Sequence, residues 1–141
     1  MVSKNDGFNQ VLSGVPRVLP NYPGKTQPPF FAGRAVEIAG QSDDLINAAS
    51  ASVQLGHLHD THGNLNAAIE MYKRSLEINE KLERQEGIAS DNGFLGNIYK
   101  ELGDLDGAER RYKMSLEINE KLENLQGMAN QYGNLGIIFK I

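Results

Sequence analysis

A nine-residue string, Ser-Leu-Glu-Ile-Asn-Glu-Lys-Leu-Glu, occurs twice in this chain, beginning at Ser75 and again at Ser115. The same offset of 40 residues relates many flanking positions, so that Gly56, Gly96 and Gly136 fall in phase. A fixed period of this size indicates stacked supersecondary units, each too small to bury its own apolar face. The repeat therefore predicts a stack of such units, an architecture that usually presents a surface and rarely holds a catalytic centre.

The composition allows one domain and a tail, and it excludes several classes of function. The formal net charge of −4 and the pI near 5.3 argue against a general nucleic-acid binder or an anionic-membrane binder, which needs a basic face. The absence of cysteine excludes disulfides and thiolate metal sites. No apolar run reaches the roughly 18 residues that span a bilayer, and the N-terminus lacks an apolar signal core. We therefore expect a soluble, cytoplasmic protein.

Proline placement divides the chain into an arm and a repeat domain. All five prolines lie within the first 29 residues, where the missing amide donor and the restraint on the preceding residue favour extended or irregular backbone. We expect an N-terminal arm or linker over residues 1–41, with a short helical piece near 34–38 that Gly40 interrupts. The repeat domain is expected over residues 42–141. Its units are predicted at about 47–86, 87–126 and, in part, 127–141.

Apolar spacings of three and four predict helices throughout the repeat domain. Gly63 and Gly103 mark helix ends, because only glycine adopts a left-handed backbone cheaply. Turns this short place neighbouring helices antiparallel. The helices are predicted at 43–62, 66–84, 88–102, 106–124 and 128–141. The inner side of the fourth helix is predicted to comprise Ala108, Tyr112, Leu116, Ile118 and Leu122.

The repeated residues resemble the tetratricopeptide repeat (TPR), in the 40-residue form found in kinesin light chain and in G-protein-signalling scaffolds. The family pattern is Leu-Gly-x-x-Tyr in a first helix, Gly at the turn, and Ala-x-x-x-Tyr/Phe in a second helix. The positions that match it are Leu55, Gly56, Gly63, Ala68, Tyr72, Leu95, Gly96, Tyr99, Gly103, Ala108, Tyr112, Leu135, Gly136 and Phe139. The resemblance implies an all-α, right-handed superhelix of antiparallel helix hairpins, about two and a half repeats long, preceded by the Pro-rich irregular arm.

The same resemblance implies a partner site on the concave side, which first helices line. The candidate peptide-binding residues are Ser90, Asn97, Asn134, Lys100, Lys140, His57 and Ile137. Asn97 and Asn134 stand out because an amide offers donors and an acceptor together, which suits a peptide backbone. Lys100 and Lys140 would supply charge for an acidic peptide. For each asparagine the alternative, a solvent-exposed side chain without a binding role, stays open.

Two chemical sites are considered and disfavoured. His57, His59 and His62 suggest a metal site, but His57 and His59 point roughly 200° apart on a helix, and His59 occupies the position of Tyr99. Gly24-Lys25-Thr26 matches the end of a phosphate-binding loop, but it lacks the first glycine and lies in a proline-rich arm. We expect no metal, no cofactor and no catalysis.

The favoured function is a non-catalytic interaction module or scaffold that binds a peptide or a partner helix. The alternative is a sensor or regulatory fragment of a STAND-type nucleotide-hydrolysing signalling protein, because residues 29–34 faintly resemble the segment that precedes the nucleotide domain in such ATPases. Leu135, Ile138 and Phe139 are expected to leave an apolar patch near the C-terminus. The N-terminal arm, self-association or further repeats of a longer array would cover it.

Overall fold

The computed structural model describes residues 10–11, 15–16 and 29–140, with side chains from residue 40 onward. The chain forms two compact units, residues 1–45 and 46–141. In the first unit, strand β1 (Gln10–Val11) pairs antiparallel with strand β2 (Val15–Pro16). The rest of the predicted arm before residue 29, including Gly24-Lys25-Thr26, lies outside the described residues.

Five helices follow, as the repeat pattern predicts. Their bounds are α1 (Pro29–Thr61), α2 (Leu65–Lys81), α3 (Gln85–Glu101), α4 (Leu105–Lys121) and α5 (Leu125–Lys140). The short helical piece predicted near 34–38 and the helix predicted from residue 43 form one continuous helix. The predicted start at residue 43 and the predicted interruption at Gly40 are therefore wrong. A proline is well tolerated in the first turn of a helix, and an interior glycine costs only about 1 kcal/mol relative to alanine. The chain therefore continues as helix through Gly40.

Four turns of the same hydrogen-bonding pattern join the helices at intervals of 20 residues, half the sequence period. In the turn after α1, the Asn64 amide donates to the His59 carbonyl at 2.8 Å, and the turn after α2 pairs Arg84 with Asn79 at 2.9 Å. The left-handed residue is glycine at the turns after α1 and α3, and glutamate at the other two. These residues are Gly63 (φ 78), Gly103 (φ 87), Glu83 (φ 55) and Glu123 (φ 55). The two glutamates end α2 and α4 three residues earlier than predicted.

Tyr72 and Tyr112 occupy equivalent core positions in successive hairpins, and both are fully buried. Tyr72 packs with Ala68, Leu76, Leu95 and Ile98 in a cluster between α2 and α3. Tyr112 packs with Ala108, Leu135 and Ile138 between α4 and α5. These contacts confirm the stack of equivalent helix hairpins.

Each tyrosine ring lies against a glycine of the preceding helix. A Cβ atom at Gly96 would fall 2.5 Å from Cε1 of Tyr112, and one at Gly56 would fall 2.5 Å from Cε1 of Tyr72. Because such approaches are far inside van der Waals contact, alanine at either position would force the helices apart. The repeated glycine is therefore required by close helix packing.

The inner side of the fourth helix differs from its prediction. Leu122 is 41% exposed, whereas Ser115 and Asn119 are buried in its place together with Ala108 and Tyr112. The apolar spacing alone misidentified this face, because the inner stripe includes polar side chains that hydrogen-bond to one another.

The leucine that precedes the repeated glycine is buried where a preceding second helix packs on it and exposed where none does. Leu95 packs on α2 and Leu135 packs on α4, but Leu55 is 46% exposed, since no helix precedes α1 in residues 46–140. Phe139 is 66% exposed, whereas its equivalent Tyr99 packs against both core clusters. Of the three residues predicted to form an apolar patch near the C-terminus, only Phe139 is exposed. The prediction is wrong for Leu135 and Ile138, because both are buried against Ala108 and Tyr112 of α4.

Candidate binding groove

A polar groove of about 640 Å³ runs between α3 and α5, with α4 as its floor. Nine of its fourteen lining residues carry amide or hydroxyl side chains, and Glu86 is the one charged residue among them. Three predicted peptide-binding residues, Ser90, Asn97 and Asn134, lie on its walls. The helix hairpins bring them together because α3 and α5 are equivalent first helices, separated by one repeat.

Asn97 is held in the groove by a core tyrosine. The Tyr112 hydroxyl donates to Oδ1 of Asn97 at 2.6 Å, so the side-chain NH2 of Asn97 is the end left for other partners. Burial, and secondarily the charge of Glu101, raises the pKa of Tyr112 to about 12. The hydroxyl therefore stays protonated at neutral pH, which fixes the orientation of the Asn97 amide.

Asn134 is hydrogen-bonded to a neighbouring amide on its own helix. Its Nδ2 donates to Oε1 of Gln131 at 3.2 Å, one helical turn earlier on α5. Gln131 is 8% exposed, yet it lines the groove together with the fully buried Ser115. The predicted Asn134 thus belongs to a cluster whose buried members the sequence analysis did not single out.

The other predicted binding residues do not line this groove. His57 lies in an aromatic cluster, with its ring centroid 4.8 Å from Phe94 and 5.5 Å from Tyr72. Its Nδ1 is 2.7 Å from the Tyr72 hydroxyl, so His57 takes the place that Asn97 has beside Tyr112. Residues placed elsewhere on the first helices are Lys100, Ile137 and Lys140. A binding role for these four residues stays a prediction.

The first junction, where α2 meets α3, contains a buried polar network. The carboxylate Oδ2 of Asp91 accepts from Ser75 Oγ at 2.8 Å and from Asn79 Nδ2 at 2.8 Å. Arg84 Nη1 donates to Oδ1 of Asn79 at 2.8 Å. Burial is the largest influence on Asp91 and raises its pKa, while Asn79, Ser75 and Arg84 oppose that shift. Ser75 and Asn79 belong to the duplicated string, and their repetition is the sequence feature that could have indicated this network.

The second junction, where α4 meets α5, contains the neutral counterpart of that network. Gln131 occupies the position of Asp91 and Asn124 that of Arg84. Asn119 Nδ2 donates to Ser115 Oγ at 3.3 Å, and Asn124 Nδ2 donates to Asn119 Oδ1 at 3.2 Å. Asn124 also caps α5 by accepting from the Gly127 amide at 3.1 Å. No ionised side chain takes part in these bonds.

Neither metal binding nor membrane insertion gains support from the described part of the chain. Among those residues, no three His, Asp or Glu side chains are grouped so as to hold a metal ion. None of the described helices is both long and apolar enough to cross a bilayer. The segment 29–34, on which the nucleotide-hydrolase alternative depends, has no described side chains, so that alternative stays a prediction.

Comparison with known families gives two matches. Residues 49–82 and residues 93–126 each match a family model described as tetratricopeptide repeat. No curated protein matches the chain. The first match covers the end of α1 and all of α2, and the second covers the last nine residues of α3 and all of α4. The second match therefore includes Asn97 of the α3 wall and the α4 floor of the groove.

Proposed function

Because the chain belongs to the tetratricopeptide repeat family, we propose that it is a non-catalytic interaction module that binds an extended peptide in the α3–α5 groove. Tetratricopeptide repeats generally bind protein or peptide partners, and the groove supplies a specific place for one. The single observation that carries the proposal is the amide-rich lining that joins Ser90, Asn97 and Asn134 on two facing helices.

The chemistry of the lining favours a peptide backbone. Each residue of an extended chain presents one N–H donor and one C=O acceptor, and a primary amide side chain can bond to both types of group. In the groove, the NH2 of Asn97 is available while its oxygen is engaged by Tyr112. Because the side chains are neutral, they would hold main-chain groups without requiring a charged partner.

Peptide selection tests this proposal. A library of random peptides about seven residues long, roughly 23 Å when extended, would be panned against the full chain. The dissociation constants of enriched peptides would be measured by fluorescence polarisation. We expect Asn97→Ala combined with Asn134→Ala to weaken binding about tenfold, because two hydrogen bonds of about 0.5–1.5 kcal/mol each are lost.

The matched control removes two exposed polar side chains outside the groove, by Asn66→Ala combined with Glu117→Ala. This variant should bind like the wild type, and circular dichroism should show that both variants are folded. Failure to enrich any peptide would contradict the proposal, as would equal affinities for the wild type and the groove variant.

A further inference from the structure

Three positions differ together between the two junctions, although the duplicated α2 and α4 strings are the same. The first junction has Arg84 and Asp91, and the second has Asn124 and Gln131, each 40 residues later. The residue of the preceding first helix also changes in the same register, from Val53 to Gly93. In the first junction, these residues hydrogen-bond to the buried polar groups of α2 or pack against the adjacent core cluster. In the second junction, the corresponding residues line the groove.

The first junction meets its own hydrogen-bonding needs. The hydroxyl proton of Ser75 and the NH2 of Asn79 both have the Asp91 carboxylate as acceptor, at 2.8 Å each. Val53 packs against the adjacent core cluster. This junction therefore offers a partner no buried donor.

The second junction retains donors without the acceptor. Among the described residues, no acceptor is hydrogen-bonded to the hydroxyl proton of Ser115, to Nε2 of Gln131 or to Nδ2 of Asn97. Ser115 and Gln131 are more than nine-tenths buried, and all three residues line the groove. A buried donor without an acceptor costs about 1–3 kcal/mol, so a ligand that supplies the acceptor recovers this energy on binding.

Gly93 leaves space beside the Gln131 amide, whereas Ser115 lies fully buried beneath it. A Cβ atom at Gly93 would lie 3.1 Å from Nε2 of Gln131 and 3.9 Å from Oγ of Ser115. A side chain as large as valine would therefore occupy the approach to the Gln131 amide. The missing side chain at Gly93 therefore leaves room for a ligand atom beside the amide of Gln131.

We propose that Gln131 and Asn97 form a subsite that accepts one uncharged main-chain carbonyl oxygen from an extended peptide. The proposal rests on the function proposed above and adds the group that the groove recognises. It favours a carbonyl over a carboxylate, because Asn124 has replaced the arginine that accompanies the buried carboxylate of the first junction. A buried negative charge without a cation is strongly disfavoured. Glu86, which also lines the groove, would further repel an anion.

A small-molecule titration tests the subsite independently of any selected peptide. The full-length chain would be titrated with N-acetylglycine N-methylamide, which contains two uncharged amide carbonyls, and separately with acetate. NMR would follow the backbone amide of Gly93 and the side-chain NH2 of Gln131. We expect saturable shifts with the diamide and none with acetate at equal ionic strength. Equal or larger shifts with acetate would overturn the choice of a neutral acceptor.

Variants at equivalent positions supply the controls. Gln131→Met removes the donor while keeping the side-chain volume, so the diamide shift at Gly93 should disappear and the melting temperature should not fall. Asp91→Asn, the matched change in the first junction, should leave the shift at Gly93 unchanged. An unaltered titration of Gln131→Met would overturn the subsite.

A second variant closes the subsite by copying the chain's own first junction: Gly93→Val, Asn124→Arg and Gln131→Asp together. We expect the triple variant to bind a peptide selected with the wild type at least about tenfold more weakly than the wild type does. The affinity of the wild type itself should change less than about twofold from 50 to 500 mM salt, because the subsite is uncharged. Full affinity in a folded triple variant would reject the subsite while leaving groove binding intact. If no peptide is selected but the diamide titration succeeds, peptide binding by the groove is contradicted, and only the recognition of an uncharged carbonyl oxygen is supported.

The peptide itself distinguishes a main-chain carbonyl from a side-chain amide. Each Asn or Gln of a selected peptide would be replaced by alanine. Retained binding in every replacement supports a main-chain acceptor, whereas loss of at least about tenfold at one position would assign the subsite to a side-chain carbonyl instead.

Discussion

The two junctions of the molecule share a backbone but differ in what their polar side chains do. In both, the duplicated string supplies a buried serine and asparagine, and the closing turn has the same backbone hydrogen bond at 2.9 Å. The helix that follows supplies Asp91 in the first junction and Gln131 in the second. The constant helix therefore maintains the stack, while the variable helix decides whether the polar cluster bonds internally or faces the groove.

Charge is the physical basis of this difference. The Asp91 carboxylate accepts two hydrogen bonds at 2.8 Å, and such bonds to an ionised acceptor are stronger than those between neutral groups. The neutral bonds of the second junction, at 3.2 and 3.3 Å, are longer. Loss of the Asp91 carboxylate would leave Ser75 and Asn79 unpaired, so we infer that the fold is more sensitive to substitutions in the first junction and that the second is better suited to exchange partners.

The largest expected effect follows from removing the carboxylate of the first junction. Asp91→Ala should lower the free energy of unfolding by about 2–3 kcal/mol, because Ser75 and Asn79 lose their buried acceptor. Gln131→Ala, the matched change, should cost less than about 1 kcal/mol, since it also removes an unpaired donor. Urea unfolding followed by circular dichroism measures both. Equal losses would show that the two junctions do not differ in stability.

A smaller effect should appear as a difference in pH dependence. The pKa of Asp91 lies above its usual value of 3.8, mainly through burial, so the folded chain binds this proton more firmly than the unfolded chain. The stabilisation that comes from this tighter proton binding is fully present below pH 3.8 and is lost as the pH rises through the native pKa of Asp91. Relative to Asp91→Asn, the wild type should lose free energy of unfolding over that window.

The control for this pH effect is the neutral junction. Gln131→Met should follow the wild-type pH profile, because position 131 carries no titratable group in either protein. Urea titrations from about pH 4 to pH 7 would compare the three proteins. A wild-type profile parallel to that of Asp91→Asn would mean that the pKa of Asp91 is the same in the folded and unfolded chains.

The sequence period predicted the equivalence of the junctions but not their difference. Gly63, Gly103 and the two buried tyrosines could be placed because a turn or a close helix contact allows few residue types. The buried Ser115 and Asn119 were missed because apolar spacing says nothing about polar side chains that satisfy one another. Leu122 was wrongly placed inside for the same reason.

The candidate site was predictable only in part. The resemblance to a repeat family selected Ser90, Asn97 and Asn134, which the structure brings to one groove. The approach of Gly93 to Gln131 depends on how α3 and α5 lie across α4, and no local sequence pattern encodes that distance. The placement of His57 beside Phe94 likewise depends on packing between helices.

The smallest expected effect tests whether the backbone of the two junctions is truly the same. Glu83 and Glu123 both have φ of 55°, a left-handed conformation that costs a residue with a Cβ atom roughly 1–2 kcal/mol. Glycine removes this strain but adds entropy to the unfolded chain, so Glu83→Gly and Glu123→Gly should each stabilise the protein by about 0.5 kcal/mol. Both side chains are exposed, which makes the pair a matched comparison. Thermal melts should give equal shifts if the junctions differ only in their polar side chains. A gain at one position and a loss at the other would place part of the difference in the backbone, and the division between a constant helix and a variable helix would then fail.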